Sequence, residues 1–222
     1  EANDTQIQDA VALARRADVA VLFVGLPDSF ESEAFDRQGI DLPASQNQLI
    51  EAVAAVQPRT VVVLHNGSGV AMPWLERVQG VVEAWLGGQA VGEAVADVLT
   101  GRINPSGKLA ETFAVRLCDT APHPNFPGRE RIAYYGEGIF VGYRHHDVRG
   151  IAPLFPFGFG LSYTSFSLSN LRTTTAVFDV GAAVQLAVSV DITNTGERRG
   201  KEVVQLYLHA VDPRLPRPPL EL

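Results

Sequence analysis

The apolar positions of the first hundred residues fall into runs separated by helical patterns. "VAVLFVG" (19–25), "TVVVLHNG" (60–67) and "GVVEAWLGG" (80–88) are nearly continuous apolar runs that end in glycine. Such runs suit strands buried on both faces, as in parallel sheets. Between them, apolar residues recur at helical spacing. Ile7, Val11, Leu13 and Ala14 predict a helix up to Arg16, with Thr5 and Gln8 at capping-box spacing. Ser45 and Gln48 repeat that spacing before Leu49, Ile50, Val53 and Val56. "AVGEAVADVLTG" (90–101) predicts a third helix, with Gly101 placed for its C-cap. Alternating strands and helices predict an α/β domain with a mainly parallel sheet, of the α/β sandwich type.

The texture changes at about residue 102. "GRINPSGKLAETF", "PHPNFPGRE" and "PLFPFGFGLSYTSF" are rich in Pro, Gly and aromatics, which predicts few regular elements. The aromatics predict an ordered linker, because a solvated one would expose them. Beyond it, "AVQLAVSVDITNTG" sets Val184, Leu186, Val188, Val190 and Ile192 against Gln185, Ser189, Asp191 and Thr193. That alternation is the period of a half-buried antiparallel strand. "EVVQLYLHA" (202–210) predicts another strand. Such a β-sandwich needs about seven strands, so the one begun here is incomplete within the sequence. The expected domains are 1–115 (α/β sandwich), 116–165 (ordered linker) and 166–222 (incomplete β-sandwich).

Composition narrows the function. A formal charge of −7 without a Lys/Arg cluster argues against a nucleic-acid partner. No apolar run approaches the roughly 20 residues of a membrane helix. The single cysteine, Cys118, cannot form an internal disulfide and lacks metal-ligand spacing. It fits a reducing cytoplasm, but a disulfide-free bacterial periplasmic or secreted protein fits as well. The chain opens without Met and without a leader pattern, and is expected to be a fragment.

Ligands of open parallel sheets bind outside the carboxyl ends of the strands. The loop 26–42 leaves the first strand at that end and holds the acid-rich stretch "DSFESEAFDR" (28–37). Other candidates are weaker. Ser68 in "HNGSG" lacks a His–Asp arrangement, and "GGQAVG" lacks a P-loop lysine. "HHD" (145–147), read as part of a loop, is expected to be structural, as is Glu137 in "YGEGIF". Trp74 and Trp85 are expected in the core or at an interface. Asn104, Pro105 and Gly107 have turn chemistry.

The segments "ESEAFDRQGIDLPASQNQLIEAV", "VVVLHNGSGVAMPW", "VVEAWLGGQAVGEAVADVLTGRINPSGKLAETF", "YYGEGIFVGYRHHD", "PLFPFGFGLSYTSF" and "NTGERRGKEVVQLYL" resemble, in order, the C-terminal half of glycoside hydrolase family 3 β-glucosidases. The resemblance implies an α/β sandwich domain and the start of a fibronectin type III-like domain, with a barrel bearing the nucleophilic aspartate elsewhere. It implies retaining hydrolysis by two carboxyl groups. The motif "ESEGxDR" maps the general acid/base onto Glu33. That residue must hold a proton at working pH, a demand met by partial desolvation and by the nucleophile's charge. The family's glycine after it is Ala34 here. Glu31, Asp36 and Arg37 are then expected to support the loop or contact substrate. The bland alternative is a solvated acidic loop on an accessory or assembly domain. A third reading keeps the family but makes the substrate a β-xyloside or an α-L-arabinoside. The resemblance implies no cofactor and no metal. The expected partners are a β-glucoside or small oligosaccharide and the N-terminal barrel; a homo-oligomer stays open. Alone, the chain is expected to be inactive.

Overall fold

The structure, a computed structural model, describes residues 4–174 and 186–222. Val184 and Gln185 of the predicted alternation lie outside these. The described residues fall into two compact units, one within Glu1–Val95, Leu109–Phe159 and Gln205–Leu222 and the other within Ala96–Lys108 and Gly160–Val204.

In the first unit the three apolar runs become β1 (Ala20–Gly25), β2 (Thr60–His65) and β3 (Gly80–Glu83), parallel in the order β1-β2-β3. The register runs from Ala20↔Thr60 to Gly25↔His65 and from Val61↔Gly80 to Leu64↔Glu83. Val24, Val62 and Leu64 join Leu42, Ile50, Val70, Met72, Trp74 and Phe113 in one buried cluster. The helices α1 (Asp4–Ala14) and α2 (Ala44–Ala54) pack against each other. Gln57, buried in the connection from α2 to β2, donates to the carbonyls of Ala14 (3.1 Å) and Ala17 (2.6 Å). It thereby satisfies acceptors that a helix C-terminus leaves open. Trp74 is fully buried and donates its indole N–H to Asn47 Oδ1 at 2.8 Å.

Several expectations need correction. Ser45 does not cap α2. The N-cap is Pro43, which makes no side-chain bond, and its carbonyl accepts from Gln46 and Asn47 N–H. Proline's fixed φ sets the entry to the helix without a cap. Thr5 likewise lies inside α1, after Asp4. The third strand stops at Glu83 because Trp85 takes φ +50° and turns the chain away. Helix α3 spans Val91–Leu99, and Gly101 adopts φ +73° just past its end. The histidine pair lies in α4 (Tyr143–Arg149), not in a loop, and His146 is buried with Nδ1 3.1 Å from the Ile151 carbonyl. "EVVQLYLHA" forms no ladder. Among the described residues it makes one isolated bridge, Leu208 to Glu221, because no neighbouring strand offers it a full set of partners.

The second unit holds β4 (Phe166–Thr173) and β5 (Val188–Asn194), antiparallel, with an irregularity between Ser169 and Arg172. Val188 and Val190 are half-buried while Ser189 and Asp191 face solvent. Asn104 fastens this unit internally. Its Oδ1 accepts from Tyr163 N–H (2.8 Å) and Ser162 Oγ–H (3.0 Å), and its amide donates to the Arg199 carbonyl. Lys108 and Glu202 pair at 2.8 Å.

In the core of the first unit, Phe113 sits edge-on to the rings of both Trp85 (5.9 Å) and Phe155 (6.4 Å) and is 1% exposed. Truncation to Ala would leave a cavity against two aromatic faces. Phe113→Ala is expected to lower stability by about 3–5 kcal/mol in denaturant titration.

Candidate functional site

The site grows from the carboxyl end of the sheet. Gly25 ends β1 so close to β2 that a Cβ there would lie 2.0 Å from the His65 carbonyl oxygen. The Gln46 side chain pairs with the same glycine like an added strand residue. Its Oε1 accepts from Gly25 N–H and its Nε2–H donates to the Gly25 carbonyl, both at 2.9 Å. Leu26 N–H donates to the His65 carbonyl at 3.0 Å. The root of the loop 26–42 is therefore fixed from both sides.

Five residues further on, Glu31 is clasped. Gly67 N–H donates to one carboxylate oxygen and Ser68 Oγ–H to the other, each at 2.6 Å. Short bonds to a charged acceptor are the strong class of hydrogen bond. A Cβ on Gly67 would stand 3.1 Å from the Glu31 oxygen, so glycine lets the backbone approach the carboxylate. Arg37 Nη1–H donates to Ser68 Oγ at 2.5 Å and lies 3.8 Å from Glu31 Oε1. Its Nε and Nη2 are shielded from solvent and have no protein hydrogen-bond partner. Burial lowers the Arg37 pKa and outweighs the opposing charges of Glu31, Glu111 and Asp41.

Between these anchors the chain bulges into solvent. Glu33 and Asp36 are exposed, and the Asp36 carbonyl accepts from Gln38 Nε2–H at 3.2 Å. Ala34 takes φ +75°, a left-handed conformation that suits glycine. The loop keeps that backbone turn in spite of the alanine, at a cost of about 1–2 kcal/mol. The structure thus brings Glu31 and Arg37 together on Ser68 and leaves Glu33 and Asp36 on the open flank. Ser68 serves as a donor to Glu31. A cleft of about 620 Å³, lined in part by Phe30, Phe35, Asp36, Arg37 and Asp41, opens along the same loop.

Three polar residues that the sequence reading passed over sit behind the clasp. Asn66 is fully buried, and its Nδ2 donates to the Ser68 carbonyl (2.9 Å) and to Glu83 Oε2 (3.2 Å). Glu83 Oε1 accepts from Trp85 N–H at 3.0 Å, in the turn made by the positive φ of Trp85. Glu111 lies beside Gly69, and its Oε1 is shielded from solvent without a protein hydrogen-bond partner. The signal that could have found Glu83 and Asn66 is a lone polar residue at the glycine end of an apolar run. Burial pushes the Glu83 pKa up to about 7, helped by the like charges of Glu111 and Glu31 and opposed by Trp85 N–H and Asn66. Burial also raises Glu111, against the pull of Gly69 N–H and Arg37.

Comparison with known proteins places this arrangement. The description "Glycosyl hydrolase family 3 C-terminal domain" matches residues 1–163. The thermostable beta-glucosidase B of Acetivibrio thermocellus is 53% identical over 216 residues, which is 97% of this chain and 28% of that protein. An exo-alpha-(1->6)-L-arabinopyranosidase of Bifidobacterium breve is 44% identical over 96% of this chain and 28% of its own length. The crystal structure of the Kluyveromyces marxianus beta-glucosidase in complex with glucose superposes with a TM-score of 0.90 at 40% identity, covering 100% of this chain and 26% of that one. The chain belongs to glycosyl hydrolase family 3 and corresponds to its C-terminal domain; it spans little more than a quarter of the relatives it matches. The relatives named here are glycosidases.

The raised pKa of Glu83 has a consequence for stability. Its folded value of about 7 lies above the ordinary 4.5, so the folded state binds the extra proton between these values. The favourable contribution is complete below about pH 4.5 and is lost as pH rises through 7. Unfolding measured by denaturant between pH 4.5 and 8 should show a loss on the order of 2–3 kcal/mol from this group. Glu83→Gln should flatten that dependence.

Proposed function

We propose that this chain is the part of a retaining β-glucosidase that supplies the general acid/base, Glu33, to a site completed by an N-terminal barrel bearing the nucleophile. One observation carries the reading. Glu33 stands in solvent two residues beyond the clasped Glu31. A carboxyl group held at its base and free at its tip is suited to enter a pocket on another domain. The likeness to family 3 beta-glucosidases over nearly the whole chain supports the chemistry.

In this mechanism the barrel's aspartate attacks the anomeric carbon. As the bond from that carbon to the glycosidic oxygen breaks, Glu33 gives its proton to the departing oxygen. The glycosyl ester on the aspartate is the covalent intermediate. Glu33, now a carboxylate, takes a proton from water while that water's oxygen attacks the same carbon and releases the aspartate. Glu31 and Arg37 support the loop, and Asp36 stands beside it on the exposed flank. The substrate is a terminal β-glucoside of a small glycoside or oligosaccharide. A second reading has its own support: the Bifidobacterium breve arabinopyranosidase matches almost as much of the chain. The choice between these sugars then rests with the part of the protein beyond this chain.

The chain without its barrel is inactive in this account. In the complete protein, Glu33→Ala should lower kcat/KM about 10²–10⁴-fold on glycosides with poor leaving groups. Added azide should restore turnover and yield a β-glycosyl azide, identifiable by mass and NMR. A variant that azide neither accelerates nor converts to that product would contradict the assignment.

A further inference from the structure

Glu83 and Glu33 lie on different elements, yet hydrogen bonds joined through Ser68 lead from Glu83 to Glu31, two residues from Glu33 in the same loop. Glu83 Oε2 accepts from Asn66 Nδ2, which also donates to the Ser68 carbonyl; Ser68 Oγ–H donates to Glu31 Oε1. Asn66 is 0% exposed, so its amide cannot trade these partners for water, and its Oδ1 already lacks a protein partner. Its orientation is therefore decided by what faces it.

We propose that Glu83 is a positioning residue whose ionised carboxylate fixes the amide of Asn66 and, through Ser68 and Glu31, the loop that carries Glu33. The physical reason is the donor inventory of the amide. An ionised Glu83 accepts only, so Asn66 must turn its NH₂ toward it. In that orientation the same NH₂ reaches the Ser68 carbonyl and holds the residue whose hydroxyl grips Glu31. A protonated Glu83 carries a donor of its own and can pair with Asn66 Oδ1. The amide is then free to reverse, and the Ser68 carbonyl loses its partner. The groups facing Glu83 are Asn66 and Trp85 N–H, which favour the ionised form, and the charges of Glu111 and Glu31, which oppose it along with burial. That balance puts the titration near neutrality, where it can tune a hydrolase.

This inference rests on the acid/base reading of Glu33, and a double-mutant cycle in the complete protein separates the two. Glu83→Gln, which offers one acceptor oxygen to the two donors Asn66 Nδ2–H and Trp85 N–H and an NH₂ in place of the other, should lower kcat on a poor leaving group at least five-fold with KM changed less than two-fold. In a Glu33→Ala background the same substitution should cost less than two-fold. The acid limb of the kcat/KM profile should lose an ionisation near neutral pH in Glu83→Gln and keep it in the parent. Equal losses in the two backgrounds, or an unchanged acid limb, would overturn the inference and leave Glu33 untouched. A Glu33→Ala protein that hydrolyses poor leaving groups normally would instead overturn the acid/base reading. Ser68→Ala cuts the same series without touching Glu83. It carries the test if Glu83→Gln does not fold, with the same five-fold loss expected in the parent and the same two-fold limit in Glu33→Ala. Equal losses there would likewise overturn the inference.

Discussion

The site depends on one interaction, the grip of Gly67 N–H and Ser68 Oγ–H on the two oxygens of Glu31. A loop of seventeen residues leaving a strand has too much conformational freedom to present a side chain accurately unless something interior to it is tied down. The tie is charge-assisted and sits beside a partly buried guanidinium, where the effective dielectric is lower than in water. It also divides the labour among the carboxylates. Glu31 spends its hydrogen-bonding capacity on the scaffold, and Glu33 keeps its own in solvent. The Gln46 pairing with Gly25 performs the same service at the loop's root.

Such a tie needs a rigid platform, and the parallel sheet supplies it. β2 is the central strand, with Val62, Val63 and Leu64 fully buried, and the loop that grips Glu31 follows directly from its end. The polar cluster of Asn66, Glu83 and Glu111 lies at the same end. Burying these groups costs stability unless each finds partners, and two of their atoms, Asn66 Oδ1 and Glu111 Oε1, remain unmatched within the protein. A stable scaffold alone would not require that arrangement. It makes sense as a support for something that must be held in one orientation.

The sheet was legible because buried parallel strands are written as apolar runs, and each run became a strand of one parallel sheet. The placement of "DSFESEAFDR" at the carboxyl edge of the sheet followed from topology alone. Ala34 stands in the glycine slot of the motif, and its φ of +75° shows the fold imposing a glycine-like conformation on an alanine. Other features could not be read. Ser45 and Thr5 have the right spacing for caps, but Pro43 caps one helix and Thr5 lies inside the other, after Asp4. "EVVQLYLHA" has strand composition, yet a strand requires a neighbour, and pairing is non-local. Glu83 and Asn66 are single polar residues without periodicity, and only their convergence in space reveals a role. Ser68 looked like a nucleophile candidate in sequence; its geometry makes it a donor to Glu31.

The central claim is that Glu33 delivers and recovers the proton of glycosidic cleavage. The most direct test is the leaving-group dependence of the Glu33→Gln protein, assembled with its N-terminal portion. Activity on alkyl glucosides or oligosaccharides should fall by orders of magnitude, while the first chemical step on activated aryl glucosides, whose leaving groups need no proton, should fall far less. An equal loss on both classes would contradict the account.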